Sequence, residues 1–386
     1  MKMTRVEKWK VVVPCRPGIL EREGRWYDPG LSTFDSVPKW IIRIHAEGGL
    51  SGVGESSRGE SEESITAGIG AVVGRDPRTF PLHRLPLPPS AAYTTFEMAL
   101  FDLLGKAWEV PAYQLLGGAR QEQVLVDYWA SRRSPEDTAT QAAEGRRRGF
   151  HGIKIKSALA SPNSRRAAPG LSPGASGPGA SPGDHSRWAA VAEDDPVVER
   201  VAAIAEACGP EFTVTVDPNC RFYEPAQVMR LARRLEPFNV LVLEDPMPWR
   251  DNLEAYALLR QKCPLPLAIH VFTPEAVLAA IRKNAVDYLN INGSMADFVK
   301  MAWMAEQAGI RCWHGSGVDL GIRDMSYVHA SIAAGNCTLP GDMVGNFLRE
   351  DDLIQEPIPI VGGYVPLPTA PGLGVTLDEE ALVRYQ

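Results

Sequence analysis

The rhythm of apolar and polar positions along the chain changes near residue 120. Upstream, KWKVVVP and KWIIRIHAEGGLSGVGESS alternate apolar with polar residues, and the Gly48-Gly49 step inside the second run predicts an antiparallel hairpin. The stretch TTFEMALFDLLGKAWEVPAYQLLGG then carries apolar residues at helical spacing, a capping-box start in Thr94 and Glu97, and a stop at Gly117 and Gly118. Downstream the pattern becomes short, continuous apolar runs separated by helical stretches: VLVDYWAS, HGIKIKS, FTVTVDPN, NVLVLEDP, PLAIHVF, DYLNING and IRCWHGS. Strands that bury both faces under helices need such runs, so the pattern predicts an α/β fold with a parallel sheet. An eighth strand is expected after a helix near 322–335. Residues 158–195, dense in Pro, Gly, Ser and Ala, interrupt the rhythm as an insertion with little to bury, either a lid or a tolerated surface segment.

The bulk numbers narrow the possible partners. The net charge of −7 over 386 residues leaves no basic excess to hold a phosphate backbone, which argues against nucleic acid. The six cysteines show no CxxC spacing, which argues against a zinc ribbon or a disulfide framework. MKMTRVEKWKVVV lacks the apolar stretch of a signal peptide, and no run approaches the length of a membrane span. A cytoplasmic protein with no membrane partner is expected.

The polar residues of the downstream region sit at the ends of the apolar runs. Lys154 and Lys156, Asp217, Glu244, His270, Asn292 and His314 follow one another at strand–helix intervals, spaced 27, 26, 22 and 22 residues apart from Asp217 onward. In a (β/α)8 barrel such strand ends converge on one mouth, where the active sites of that fold lie. Residues two apart on a strand share a face, so Lys154 and Lys156 both point into this mouth. Mutual repulsion and partial desolvation of two ammonium groups would lower the pKa of one and free it as a base, leaving the other to hold a carboxylate. Asp217 and Glu244, with Asn219 nearby, make an oxygen-rich cluster suited to Mg2+ or a related cation. A purely structural network of Lys, Asp and Glu is the alternative.

GIKIK, VDPN, LEDP, the ALFDLLGK helix and the closing PTAPGLGV together resemble the enolase superfamily, in its mandelate racemase and muconate lactonizing branch. The resemblance implies an N-terminal α+β capping domain over residues 1–120 and a modified (β/α)8 TIM-type barrel over 121–350 carrying the insertion. It also implies that residues 351–386 return to the cap. It implies abstraction of the proton α to a carboxylate, giving an enediolate stabilised by a divalent ion. Matched to the motifs, Lys156 is the base, Lys154 contacts the substrate carboxylate, Asp217 and Glu244 are metal ligands, and His314 is the acid/base on the opposite face. Asn219 and Asn292 are further substrate contacts.

Three departures from the pattern stand out. The third ligand position, a carboxylate in the family, offers His270 or Val271, so Mg2+ is the first expectation and Mn2+ or another transition ion the alternative if His270 ligates. Asn292 replaces the aspartate that would partner the histidine, and the nearest acid to the strand-eight carboxylate is Asp342. The leading expectation is dehydration of a small sugar-acid carboxylate. A racemase or epimerase, a Schiff-base aldolase and a non-catalytic binding protein remain open. Substrate specificity is expected from cap loops carrying Glu21, Arg22, Arg25, Trp26, Tyr27 and Arg58. A homo-oligomer is a family expectation.

Overall fold

The computed structural model describes residues 1–17, 37–90, 92–131, 133–157, 197–220, 222 and 224–386. Glu21, Arg22, Arg25, Trp26 and Tyr27, and the insertion 158–195, lie outside the described residues. The hairpin forms where the alternation places it. Strands β1 (Met3–Val11), β2 (Lys39–Ala46) and β3 (Ser51–Glu55) make an antiparallel sheet in that order. Helix α1 (Glu62–Val72) follows, and then α2 (Tyr93–Ala107), whose residues from Thr95 to Gly105 are all buried. The α2 backbone can lie against β3 because Gly52 and Gly54 carry no Cβ. A Cβ at either would fall 2.1 Å from a carbonyl oxygen of α2, that of Ala99 or Thr95.

The predicted capping box is not formed. Helix α2 starts at Tyr93 behind Ala92 with no side-chain cap, so Thr94 lies inside the first turn. Glu97 is spent elsewhere: its carboxylate accepts the backbone N–H groups of Met295 and Ala296, the first turn of a barrel helix. An orphan donor pair of one domain therefore satisfies a buried acid of the other.

Seven parallel strands run in sequence order, β5 (Tyr128–Ala130), β6 (Gly152–Lys156), β7 (Thr213–Asp217), β8 (Val240–Glu244), β9 (Leu267–Val271), β10 (Tyr288–Ile291) and β11 (Arg311–His314). The eighth place is filled by residues near 341 rather than by a full strand. Gly341 bridges to Val126 in parallel, and the Asp342 amide donates to His314 O at 2.9 Å. Pro340, which has no N–H to give, limits the ladder there.

The register decides which side chains face the lumen. Lys154 lies beside Trp129 and Thr215, Lys156 beside Asp217, and Asn290 beside both His270 and Trp313. The C-terminal segment turns back toward the cap. Strand β12 (Tyr364–Pro366) pairs antiparallel with β4 (Gln123–Leu125), and the Val12 amide donates to Tyr385 O at 2.9 Å. One apolar core runs from Ile41 and Phe101 of the cap into the helices around the barrel. Among the described residues no helix is long and apolar enough to cross a membrane.

Candidate active site

The two lysines of GIKIK do point into the lumen, and they do not share one environment. Lys154 is encased: its Nζ lies 2.7 Å from Glu244 Oε2, 2.5 Å from Asp342 Oδ2 and 3.5 Å from Asp217 Oδ2. Lys156, one step nearer the mouth, pairs with Asp217 and keeps 19% of its side chain exposed against 3% for Lys154. Burial pulls the Lys154 ammonium down, but the carboxylates of Asp342, Glu244 and Asp217 outweigh it and hold the group charged well above its ordinary range.

The acids respond in opposite directions. Burial raises Asp217, yet Lys156 and Lys154 bring it well below the usual carboxylate range, and its Oδ1 accepts the Asn219 amide at 2.8 Å. Burial and the neighbouring Asp217 push Glu244 up despite Lys154. Asp127, reached by Thr215 Oγ1 at 3.1 Å, is pushed up to about 8 by burial and by Asp342. Burial and Asp217 carry Asp245 up to about 7. Asp127, Asp217, Glu244, Asp245 and Asp342 are all buried, and among the described residues Lys154 pairs with three of them and Lys156 with one. Such a surplus of buried carboxyl groups is relieved by protons or by a divalent ion.

The donors present fit such an ion. Glu244, Asp245 and His270 each offer a ligand atom, all within 4.8 Å of one another, the single such group of three or more among the described residues. Asp217 stands outside that group, engaged by both lysines. The His270 ring, partly exposed to the mouth, meets Asn292 Oδ1 through Nε2 at 2.8 Å. Burial, then the Lys154 charge, lowers it to about 4, so it is a neutral imidazole at neutral pH, the form that ligates metals. Asn290 donates to Glu244 Oε1 at 2.9 Å and to Asp342 Oδ2 at 3.2 Å, while its Oδ1 is buried with no partner.

His314 does not join this cluster. It pairs in register with Ile291, a residue of the apolar core, one position out of phase with Asn290 and Trp313, and so faces the helix layer. Its ring stacks on Tyr327 at 5.7 Å and 9°, with Nε2 pressed against Gly341. Burial holds it below its ordinary pKa. The IRCWHGS run therefore puts Trp313 and Gly315, not the histidine, into the lumen. Gly315 is required there, since a Cβ would lie 2.1 Å from Asn292 Oδ1, 2.2 Å from Asn290 Oδ1 and 2.7 Å from His270 Nε2. Asn219 contributes its amide, with its side chain exposed at the mouth.

Several members of the site escaped the reading of strand ends. Asn290 is two before Asn292 and shares its face by the same parity that links the lysines. Asp127 lies inside the first apolar run of the downstream region, whereas Asp342, read from the sequence as the acid nearest the strand-eight position, does reach Lys154. A second polar group fastens the cap over the mouth. Lys39 pairs with Glu55 and, at 2.9 Å, with Asp319 Oδ1, and Glu55 accepts the amides of Leu320 and Arg323 at 2.9 Å each. Arg58, named from the cap loops, donates from Nε to Gly317 O at 2.8 Å, and burial lowers it to about 10.

Comparison with known proteins places this geometry. An N-succinyl-L-Arg/Lys racemase from Bacillus cereus is 25% identical over 410 aligned positions, covering 99% of this chain and 97% of that one. Muconate cycloisomerase 1 from Pseudomonas putida is 27% identical, covering 92% of each chain. An arabinonate dehydratase from Saccharolobus solfataricus is 25% identical, covering 77% of this chain and 72% of its own. The crystal structure of the Bacillus cereus racemase superposes with a TM-score of 0.78 at 23% identity, over 100% of this chain and 98% of that one. These relatives are enzymes of differing reaction class, and the relatives of this chain also include epimerases. The mandelate racemase/muconate lactonizing enzyme N-terminal domain matches residues 29–117, and the enolase C-terminal domain-like family matches 137–381. With both matched in order along one chain, the protein belongs to the enolase superfamily, in its mandelate racemase/muconate lactonizing enzyme branch.

Proposed function

We propose that this enzyme removes the proton α to the carboxylate of a small acid and expels a β-hydroxyl, a dehydration of the sugar-acid type. The observation that carries the reading is the asymmetry of the lumen. Strand β6 is the second of eight positions around the barrel and β10 the sixth, so Lys156 faces Asn290 and Asn292 across the mouth. Racemisation through two bases needs a proton donor on each face of the substrate, and amides supply none near neutral pH. With His314 turned to the helix layer, a one-base route is favoured.

In that route the Lys156 amine takes the α proton, and the resulting ammonium returns it to the departing hydroxyl on the same face. Water leaves, and the enol ketonises to a 2-keto acid. Lys154, held charged among Glu244, Asp342 and Asp217, supplies positive charge beneath the mouth, which Asn292 and the Asn219 segment line. A divalent ion bound at Glu244 would supply positive charge where the enediolate oxygens develop, the largest contribution expected in such chemistry. Against the alternative of a Schiff base at Lys156 stands the buried carboxylate pair Asp217 and Glu244, which that chemistry does not need.

The test is a screen of acid sugars for 2-keto product, with α-proton exchange followed in deuterated water. Lys156→Met should lose both product and exchange by about 10²–10⁴-fold while remaining folded. Undiminished exchange in that variant would remove Lys156 from the role. Inversion of substrate without water loss would replace dehydration by racemisation.

A further inference from the structure

Asp245 follows Glu244 at the end of β8 with a φ of 45°, in the left-handed region that Asp tolerates better than most residues. Strand alternation alone would send its side chain away from the lumen. Instead its Oδ1 accepts the His270 amide at 2.9 Å, and its carboxylate is brought beside Glu244 and the His270 ring. The imidazole has a fixed tautomer as well. Asn292 Oδ1 can only accept, so His270 Nε2 carries the proton and Nδ1 keeps its lone pair. On that Nε2 side, Asn290 Oδ1, Asn292 Oδ1 and His270 Nε2 all lie within 2.7 Å of the point where a Gly315 Cβ would sit, so amide oxygens flank the protonated nitrogen.

We infer that Glu244, Asp245 and His270 form a mixed oxygen–nitrogen cation centre, anchored by Asn292, that prefers a transition divalent ion of the Mn2+ or Co2+ type to Mg2+. The inference rests on the reading that a divalent ion binds at Glu244, and it assigns the ligands differently from the strand-end pattern. Glu244 is also bonded to Lys154 and Asn290, but its ligand atom lies within 4.8 Å of those of Asp245 and His270, whereas Asp217, held by Lys156 and the Asn219 amide, stands outside that group. The selectivity follows from ligand chemistry. Mg2+ binds through oxygen and retained water, whereas an imidazole adds affinity along the transition series. An acceptor on the far ring nitrogen raises the basicity of the ligating one, the usual partner of a metal-bound histidine.

The experiment is calorimetric titration of chelator-treated, full-length protein with MnCl2, CoCl2 and MgCl2, together with pulsed EPR of the Mn2+ form. Mn2+ is expected to bind at least about 10-fold more tightly than Mg2+ and to show nitrogen coupling from a directly bound imidazole. His270→Gln should erase that coupling and most of the Mn2+ advantage. Asn292→Leu, which leaves every ligand in place, should weaken Mn2+ by about 10–100-fold. Asp245→Asn should weaken both ions, and Asp217→Asn should leave the Mn2+ coupling intact. Mn2+ binding without nitrogen coupling, or binding abolished by Asp217→Asn and indifferent to Asp245→Asn, would overturn the centre while leaving a metal at Glu244. Failure of every ion to bind would overturn the metal part of the proposed function too.

Discussion

Glu97 gives a test of the cap–barrel contact that is independent of the chemistry. It is buried in α2 and reaches across to the first-turn amides of the barrel helix Met295–Gln307. Burial pushes its carboxyl from 4.5 up to about 8, against the opposing effect of the Met295, Ser294 and Ala296 hydrogen bonds. Below pH about 4.5 the group is neutral folded and unfolded, and the shift costs nothing. As pH rises toward 8 the unfolded chain releases its proton while the folded chain holds it, so stability is lost across that window. At about 1.4 kcal/mol per pKa unit the full loss approaches roughly 5 kcal/mol above pH 8.

Glu97→Gln keeps an acceptor for the two amides and cannot ionise. Urea unfolding of the wild type and this variant at pH 5 and pH 8 therefore separates this group from every other acid, because their contributions cancel in the difference. The variant should gain on the wild type by about 3–5 kcal/mol between the two pH values, starting near parity at the lower one. Parallel pH dependences would refute the reasoning, because they would mean that the carboxyl is solvated or ion-paired in the folded protein.

Lys154→Met should destabilise the fold by about 3–5 kcal/mol in urea titration, since it leaves Glu244, Asp342 and Asp217 facing one another without their shared cation. Adding Glu244→Gln should recover part of that loss. His314→Phe keeps a ring to stack on Tyr327 outside the lumen, so steady-state turnover should survive it, and a collapse of kcat would show that the histidine reaches substrate. Gly315→Ala should abolish turnover and reduce thermal stability, because its Cβ must displace Asn290, Asn292 and His270 together.

Much of the frame was legible because its signals are local. The seven apolar runs became seven strands in the expected order, and the spacing of Lys154, Lys156, Asp217, Glu244 and His270 followed from one strand–helix unit per repeat. The failures have a common cause. Thr94 and Glu97 have the composition of a capping box, but a buried carboxylate prefers whichever amides lack partners, and those belonged to another helix. His314 ends its strand as the others do, but it occupies the opposite parity to the lumen positions of that strand, Trp313 and Gly315.

By itself, the sequence determined the periodicities, and so the element types and their order, and it determined that two lysines share one face. Those properties depend on neighbours a few residues apart. The closing of the barrel through Gly341 and the gathering of Asp127, Asn290 and Asp342 around Lys154 were decided only in three dimensions. So was the turning of Asp245 toward His270. Each of those contacts joins segments far apart along the chain, where register, a single positive φ and the competition of buried charges for partners set the outcome.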